Sequence, residues 1–129
     1  MNSLDFSRLS DFIDKKWDES ALPSLCEFIE IPALSPSFDS DWEENGYLDA
    51  AIETFISWVK SLSLKKSTIS VHRLKNRSPL LLVTIEGSED GEVLFYSHLD
   101  KQPEATGWSE GKGPWKPVIE DNWLYGRGS

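Results

Sequence analysis

Val93-Leu94-Phe95-Tyr96-Ser97-His98-Leu99-Asp100 is the stretch on which the reading of this chain turns. Its first half is apolar, β-branched and aromatic, the composition of a half-buried extended segment, and residues 92–99 are predicted as a strand. The apolar run gives out at His98-Leu99-Asp100. Side chains two apart in a strand share a face, so His98 and Asp100 are expected to project together while Leu99 packs on the other side. That sets an imidazole beside a carboxylate. A histidine with one ring nitrogen on zinc needs its other nitrogen held by an acceptor, and a nearby carboxylate does this. The carboxyl end of a strand is also where α/β sheets carry their sites. By spacing alone, however, His-x-Asp is more often a surface pair or a structural histidine than a ligand.

Upstream lie two further β-rich runs, residues 68–74 and 80–86, separated from each other and from 92–99 by turn-rich segments at 75–79 and 87–91. Local rules pair 80–86 with 92–99 as a hairpin. Earlier still the period changes to that of helices. Phe6, Leu9, Ile13 and Trp17, with Phe12 beside them, predict a helix over 3–17. Ser20 is placed to cap a second helix, with Pro23 in its first turn and Leu22, Leu25, Cys26 and Ile29 as its stripe, ending before Pro32. Residues 32–44 read as an exposed loop. Leu48, Ile52, Phe55, Ile56, Val59 and Leu62 mark the strongest helix. Helices therefore come first and strands follow, an α/β order. After Asp100 the chain is rich in glycine, proline and tryptophan, with short extended pieces at 115–120 and 123–125 joined by a tight turn at Asp121-Asn122.

The chain has 129 residues, 39% of them hydrophobic, which is enough for one modest core. Thirteen basic against 22 acidic side chains give a formal charge of −9, so no basic surface is available for phosphates and nucleic acid is not an expected partner. Residues 1–20 alternate charged and apolar side chains, unlike a secretion signal. The apolar run Leu80 to Val83 is far shorter than the roughly 20 residues that span a bilayer. No membrane association and a cytoplasmic location are the expectations. The one cysteine, Cys26, reads as a small buried apolar side chain. His72 reads as an exposed strand residue. No second histidine or cysteine lies at ligand spacing from His98, and no serine sits in a Gly-x-Ser-x-Gly turn. Gly126-x-Gly128 has the outline of a phosphate loop, with no helix after it to give the match force. Trp108, Trp115 and Trp123 are expected to anchor an irregular loop, and Arg127 to hold the glycine-flanked turn. Lys101 and Glu104 lie near His98 and Asp100 with no role assigned.

The full run from Val93, through His98-Leu99-Asp100-Lys101-Gln102-Pro103, Gly107-Trp108, Gly113-Pro114-Trp115 and Pro117-Val118-Ile119 to Leu124-Tyr125-Gly126-Arg127-Gly128-Ser129, resembles a known family. It is similar to the amino-terminal portion of the zinc metallopeptidases that include cytosolic dipeptidases, carnosine dipeptidases, glutamate carboxypeptidase and succinyl-diaminopimelate desuccinylase. The His-Leu-Asp-Lys-Gln-Pro wording, with Gly-Pro-Trp and Leu-Tyr-Gly-Arg-Gly, is nearest to the dipeptidase branch. The detailed match covers about a quarter of the chain, and ordered agreement of that length is far more specific than a three-residue motif.

The resemblance implies that residues 1–129 are an incomplete, amino-terminal portion of a three-layer α/β/α zinc-exopeptidase catalytic domain with a mixed sheet, in which 80–86 and 92–99 are not neighbours but flank a downstream strand, so the hairpin given by local rules stays open. It implies that His98 binds one of two zinc ions and that Asp100 is the catalytic carboxylate orienting it. The family's bridging aspartate follows the Gly-Arg-Gly turn, and its general-base glutamate and other ligands come later. One ligand is too few to hold zinc tightly, so the chain alone is expected to be inactive. A small peptide is the implied substrate of the whole enzyme. An unpaired strand edge gives a route to a homodimer. The competing expectation is a non-catalytic binding or regulatory module derived from the same fold.

Overall fold

The computed structural model describes residues 5–129. Helix α1 (Phe6–Lys16) starts at Asp5, whose Oδ1 accepts the Arg8 N–H at 3.2 Å. The predicted start at residue 3 lies outside the described residues. The chain does not break where a second cap was expected. A π-helical turn, Trp17–Ala21, runs straight into α2 (Leu22–Glu30). Ser20 therefore caps nothing, because the helical backbone through it already supplies carbonyl partners to the N–H groups a cap would satisfy. Its hydroxyl instead accepts Trp58 Nε1–H at 3.1 Å, tying this turn to a later helix. Pro23 sits in the first turn of α2 as predicted. Pro32 disfavours helical backbone at the residue before it, and Ile31 is accordingly extended at φ −84°, ψ 118°.

Residues 32–44 depart from the predicted exposed loop at two places. Ala33 is fully buried, and a short helix α3 (Trp42–Asn45) forms, ending at Gly46 with φ 69°. Helix α4 (Tyr47–Ser61) follows and buries Leu48, Ile52, Ile56 and Val59 of the stripe read from the sequence, together with Ala51, while Phe55 and Leu62 are half-buried. Helices α2 and α4 pack together. Ala33, Leu48 and Ala51 form a buried cluster with Phe28, Ile31, Trp42 and Leu99 packed against it.

Strand β1 (Ser67–His72) pairs antiparallel with β2 (Leu80–Ile85), from Ser67 opposite Ile85 to His72 opposite Leu80. Strands β3 (Val118–Glu120) and β4 (Trp123–Tyr125) form a hairpin. Asp121 and Asn122 take φ 52° and 63°, the left-handed pair that a two-residue hairpin turn requires. The chain is thus mixed α/β, helices followed by small antiparallel sheets, compatible with the amino-terminal part of an α/β domain. No described helix is long and apolar enough to cross a membrane.

The predicted strand over 92–99 is not formed, and neither is its hairpin with 80–86. Residues 91–100 have no regular secondary structure, and Val93, Leu94, Phe95 and Tyr96 are 81%, 86%, 88% and 88% exposed. A strand needs a neighbour for its N–H and C=O groups and a surface for its apolar face. Strand β2 finds its partner in β1, and no described strand lies alongside 92–99. Composition recorded a preference for extended backbone, while pairing depends on what stands beside it.

Candidate functional site

His98 and Asp100 meet even without the strand that was expected to align them. His98 Nδ1 lies 3.0 Å from Asp100 Oδ1 and 2.9 Å from the Asp100 main-chain oxygen. Both partners are acceptors, so Nδ1 carries the proton. In the neutral ring that leaves Nε2 unprotonated, with its lone pair directed away from the carboxylate. The imidazole is exposed and the carboxylate half-buried. Between them Leu99 packs inward on the cluster of Ala33, Leu48 and Ala51, as the alternation predicted. The pair therefore stands on a residue fixed in the core.

The next residue, Lys101, to which sequence alone assigns no role, is only 4% exposed. Its Nζ donates to the main-chain oxygens of Phe28 at 2.6 Å, Ile29 at 3.2 Å and Ile31 at 2.7 Å. These are carbonyls at the end of α2, at the negative end of its dipole; Phe28 O and Ile31 O also accept the N–H groups of Ile31 and Ala33. The ammonium also lies 4.0 Å from the centre of the Phe28 ring. Its main chain is pinned as well: the Lys101 N–H donates to Ala33 O at 2.7 Å, and Ser35 N–H donates to Lys101 O at 2.9 Å. This makes a short parallel bridge between Leu34 and Lys101. No side-chain signature announces such a partner set, because backbone carbonyls occur at every residue.

Burial pulls the Lys101 ammonium down from 10.5 to about 8. Between those values an unfolded lysine holds its proton while the folded one has released it, so stability rises with pH across this window and is flat below it. At about 1.4 kcal/mol per pH unit the gain is at most ~3.5 kcal/mol, part of it offset by the three carbonyls that favour the charged form. Urea unfolding of the native chain and of Lys101→Met between pH 7 and 10.5 tests this. The difference between them should shift toward the native chain above pH 8, and a constant difference would rule the titration out.

The Gly126–Ser129 segment closes over the same place. A Cβ on Gly126 would lie 2.4 Å from Ile29 Cγ2, and one on Gly128 would lie 3.2 Å from Lys101 Cε and 3.3 Å from Phe28 Cε1. Arg127 N–H donates to Pro114 O at 2.7 Å and its Nε–H to Gln102 O at 3.3 Å, so the side chain ties the turn to the loop after Lys101. Trp115 Nε1–H donates to Glu104 at 2.6 Å, which gives both residues a part in fixing that loop. Trp123 is exposed and anchors nothing. His72 is an exposed strand residue as predicted, with Nε2 3.0 Å from Ser70 Oγ.

Among the described residues no group of three or more histidine, cysteine, aspartate or glutamate side chains could enclose a metal ion. No family model matches the chain. It is 27% identical over 115 residues to an uncharacterized metallohydrolase of Methanocaldococcus jannaschii. The match takes in 86% of this chain and 28% of that protein, so the chain spans little more than a quarter of its relative's length.

Proposed function

We propose that the chain is the amino-terminal portion of a zinc-dependent hydrolase of the dipeptidase and carboxypeptidase type, with His98 as a metal ligand and Asp100 as the catalytic carboxylate that holds it. The observation carrying this is the His98 ring itself, with Nδ1–H held by two acceptors and Nε2 free and exposed. Similarity to a metallohydrolase over most of the chain supports the metal, and the ordered motifs from Val93 to Ser129 support the dipeptidase type. When bound, zinc supplies a Lewis acid for the peptide carbonyl and lowers the pKa of water. The residues here fit one part of that work. Asp100 fixes the tautomer and strengthens the basicity of Nε2, while Leu99 and Lys101 hold the segment in place. A single ligand does not retain zinc, so the described residues alone are not the catalyst. A small peptide is the proposed substrate, two zinc ions the proposed complement of the whole site, and the cytoplasm the proposed location.

The test is dipeptide hydrolysis by the whole natural polypeptide that carries this sequence, assayed before and after chelation and again with zinc restored. Activity should vanish and return. Asp100→Asn keeps an acceptor oxygen but loses the charge, and kcat/KM should fall about 10–100-fold. Hydrolysis that survives chelation, or an Asp100→Asn protein as active as the native one, contradicts the assignment.

A further inference from the structure

We propose that Lys101 is the positioning residue of the His98–Asp100 pair: a buried ammonium clasp that fixes this segment and the Gly126–Ser129 turn onto the end of helix α2. The inference rests on the proposed role of His98 and Asp100, and adds the part that holds them in register.

An ammonium has three protons, and Lys101 Nζ has three carbonyl acceptors, from Phe28, Ile29 and Ile31. None is left over for a substrate. The side chain therefore acts through what it holds. On one side is the end of α2, where it adds a donor to Phe28 O and Ile31 O, which also accept the Ile31 and Ala33 N–H groups, and supplies one to Ile29 O. On another is its own main chain, bonded to Ala33 and Ser35 immediately after Asp100. The oxygen pair that fixes the His98 proton, Asp100 O and Oδ1, belongs to the residue adjoining this anchor. Above the stem lies Gly128, where a side chain would crowd both Lys101 Cε and the Phe28 ring. One residue thus joins three parts of the chain that are far apart in sequence. With a shorter or neutral side chain, Ile29 O loses this donor, while Phe28 O and Ile31 O keep only the N–H groups of Ile31 and Ala33, and the lost bonds favour local opening. Asp100 would then no longer be held against His98. The segment N-terminal to His98 offers no substitute restraint, since residues 91–97 are exposed and without regular structure.

The readout is the ring tautomer of His98, measured by nitrogen-15 NMR on the chain itself, which is independent of hydrolysis. In the native chain the Nδ1–H form should dominate. Lys101→Met, which keeps the stem and removes the donors, should lower the ratio of Nδ1–H to Nε2–H at least tenfold while circular dichroism shows the helices retained. Lys101→Arg should recover most of the ratio. An unchanged ratio in a folded Lys101→Met chain overturns the proposal, because a lysine of purely structural value would cost stability without moving the tautomer. Native-state hydrogen exchange keeps the idea testable if the variants do not fold. The Lys101 and Ser35 amide protons of the native chain should exchange only by global unfolding, and exchange through local opening would also overturn it. Neither readout depends on zinc, so the clasp can fail while the assignment of His98 stands, and the reverse.

Discussion

Replacing His98 with alanine is expected to lower kcat/KM for dipeptide hydrolysis by at least 1,000-fold in the whole polypeptide (roughly 4 kcal/mol of transition-state stabilisation) and to reduce bound zinc. The size follows from what the ring supplies. Loss of an orienting partner weakens a metal site by about 10–100-fold, and loss of the ligand it orients removes a coordination bond outright. Folding should be little affected, because His98 is exposed and its hydrogen bonds stay within the Asp100 residue. That separates the effect from misfolding. His72→Ala is the control, since His72 lies in β1 with Ser70 as its recorded polar neighbour and should leave both zinc content and rate unchanged. Metal content by mass spectrometry and initial rates decide the matter. A His98→Ala protein within tenfold of native activity would leave the pair a structural hydrogen bond and contradict the assignment of His98 as a metal ligand.

How much of this could be read from the sequence differs by kind of interaction. The helix at residues 47–61 was legible because its burial is periodic: Leu48, Ile52, Ile56 and Val59 recur on one face and all are buried. The hairpin at Asp121-Asn122 was legible because few residues accept left-handed backbone at adjacent positions. The strand at 92–99 was misread because apolar, β-branched composition reports a preference and not a partner, and Val93 to Tyr96 are exposed. His98 and Asp100 were found as a pair through their spacing, although the contact arises from the ring reaching its second neighbour's main chain and carboxylate, not from a shared strand face. Lys101 was invisible. Its partners are main-chain oxygens about 70 residues earlier.

Gly126 was noticed for a resemblance to a phosphate loop, and the structure gives it a different reason, which leads to the second large effect. Gly126→Ala is expected to destabilise the chain by about 2–5 kcal/mol, combining overpacking with backbone strain. A methyl there would stand 2.4 Å from Ile29 Cγ2 and 3.2 Å from its Cδ1, at a φ of 157° that side chains rarely adopt. The neighbour cannot yield, for Ile29 has 0% exposure and is the largest side chain so completely enclosed among the described residues. Ile29→Ala alone should cost a similar amount through the cavity it leaves. The two changes should not add, because the alanine at position 126 fills part of the space that Ile29 vacates. The double variant should lose less than the sum of the two single losses, with a coupling of at least about 1 kcal/mol between contacting residues, while the backbone strain at position 126 remains. Urea unfolding of the four proteins measures it, and strictly additive losses would show that Gly126 does not rest on Ile29. The same contact seats the Gly126–Ser129 turn over Lys101 and Phe28. Gly126→Ala should therefore also disturb the His98 tautomer, while the double variant restores it, which links a close backbone approach in the core to the protonation of an exposed ring.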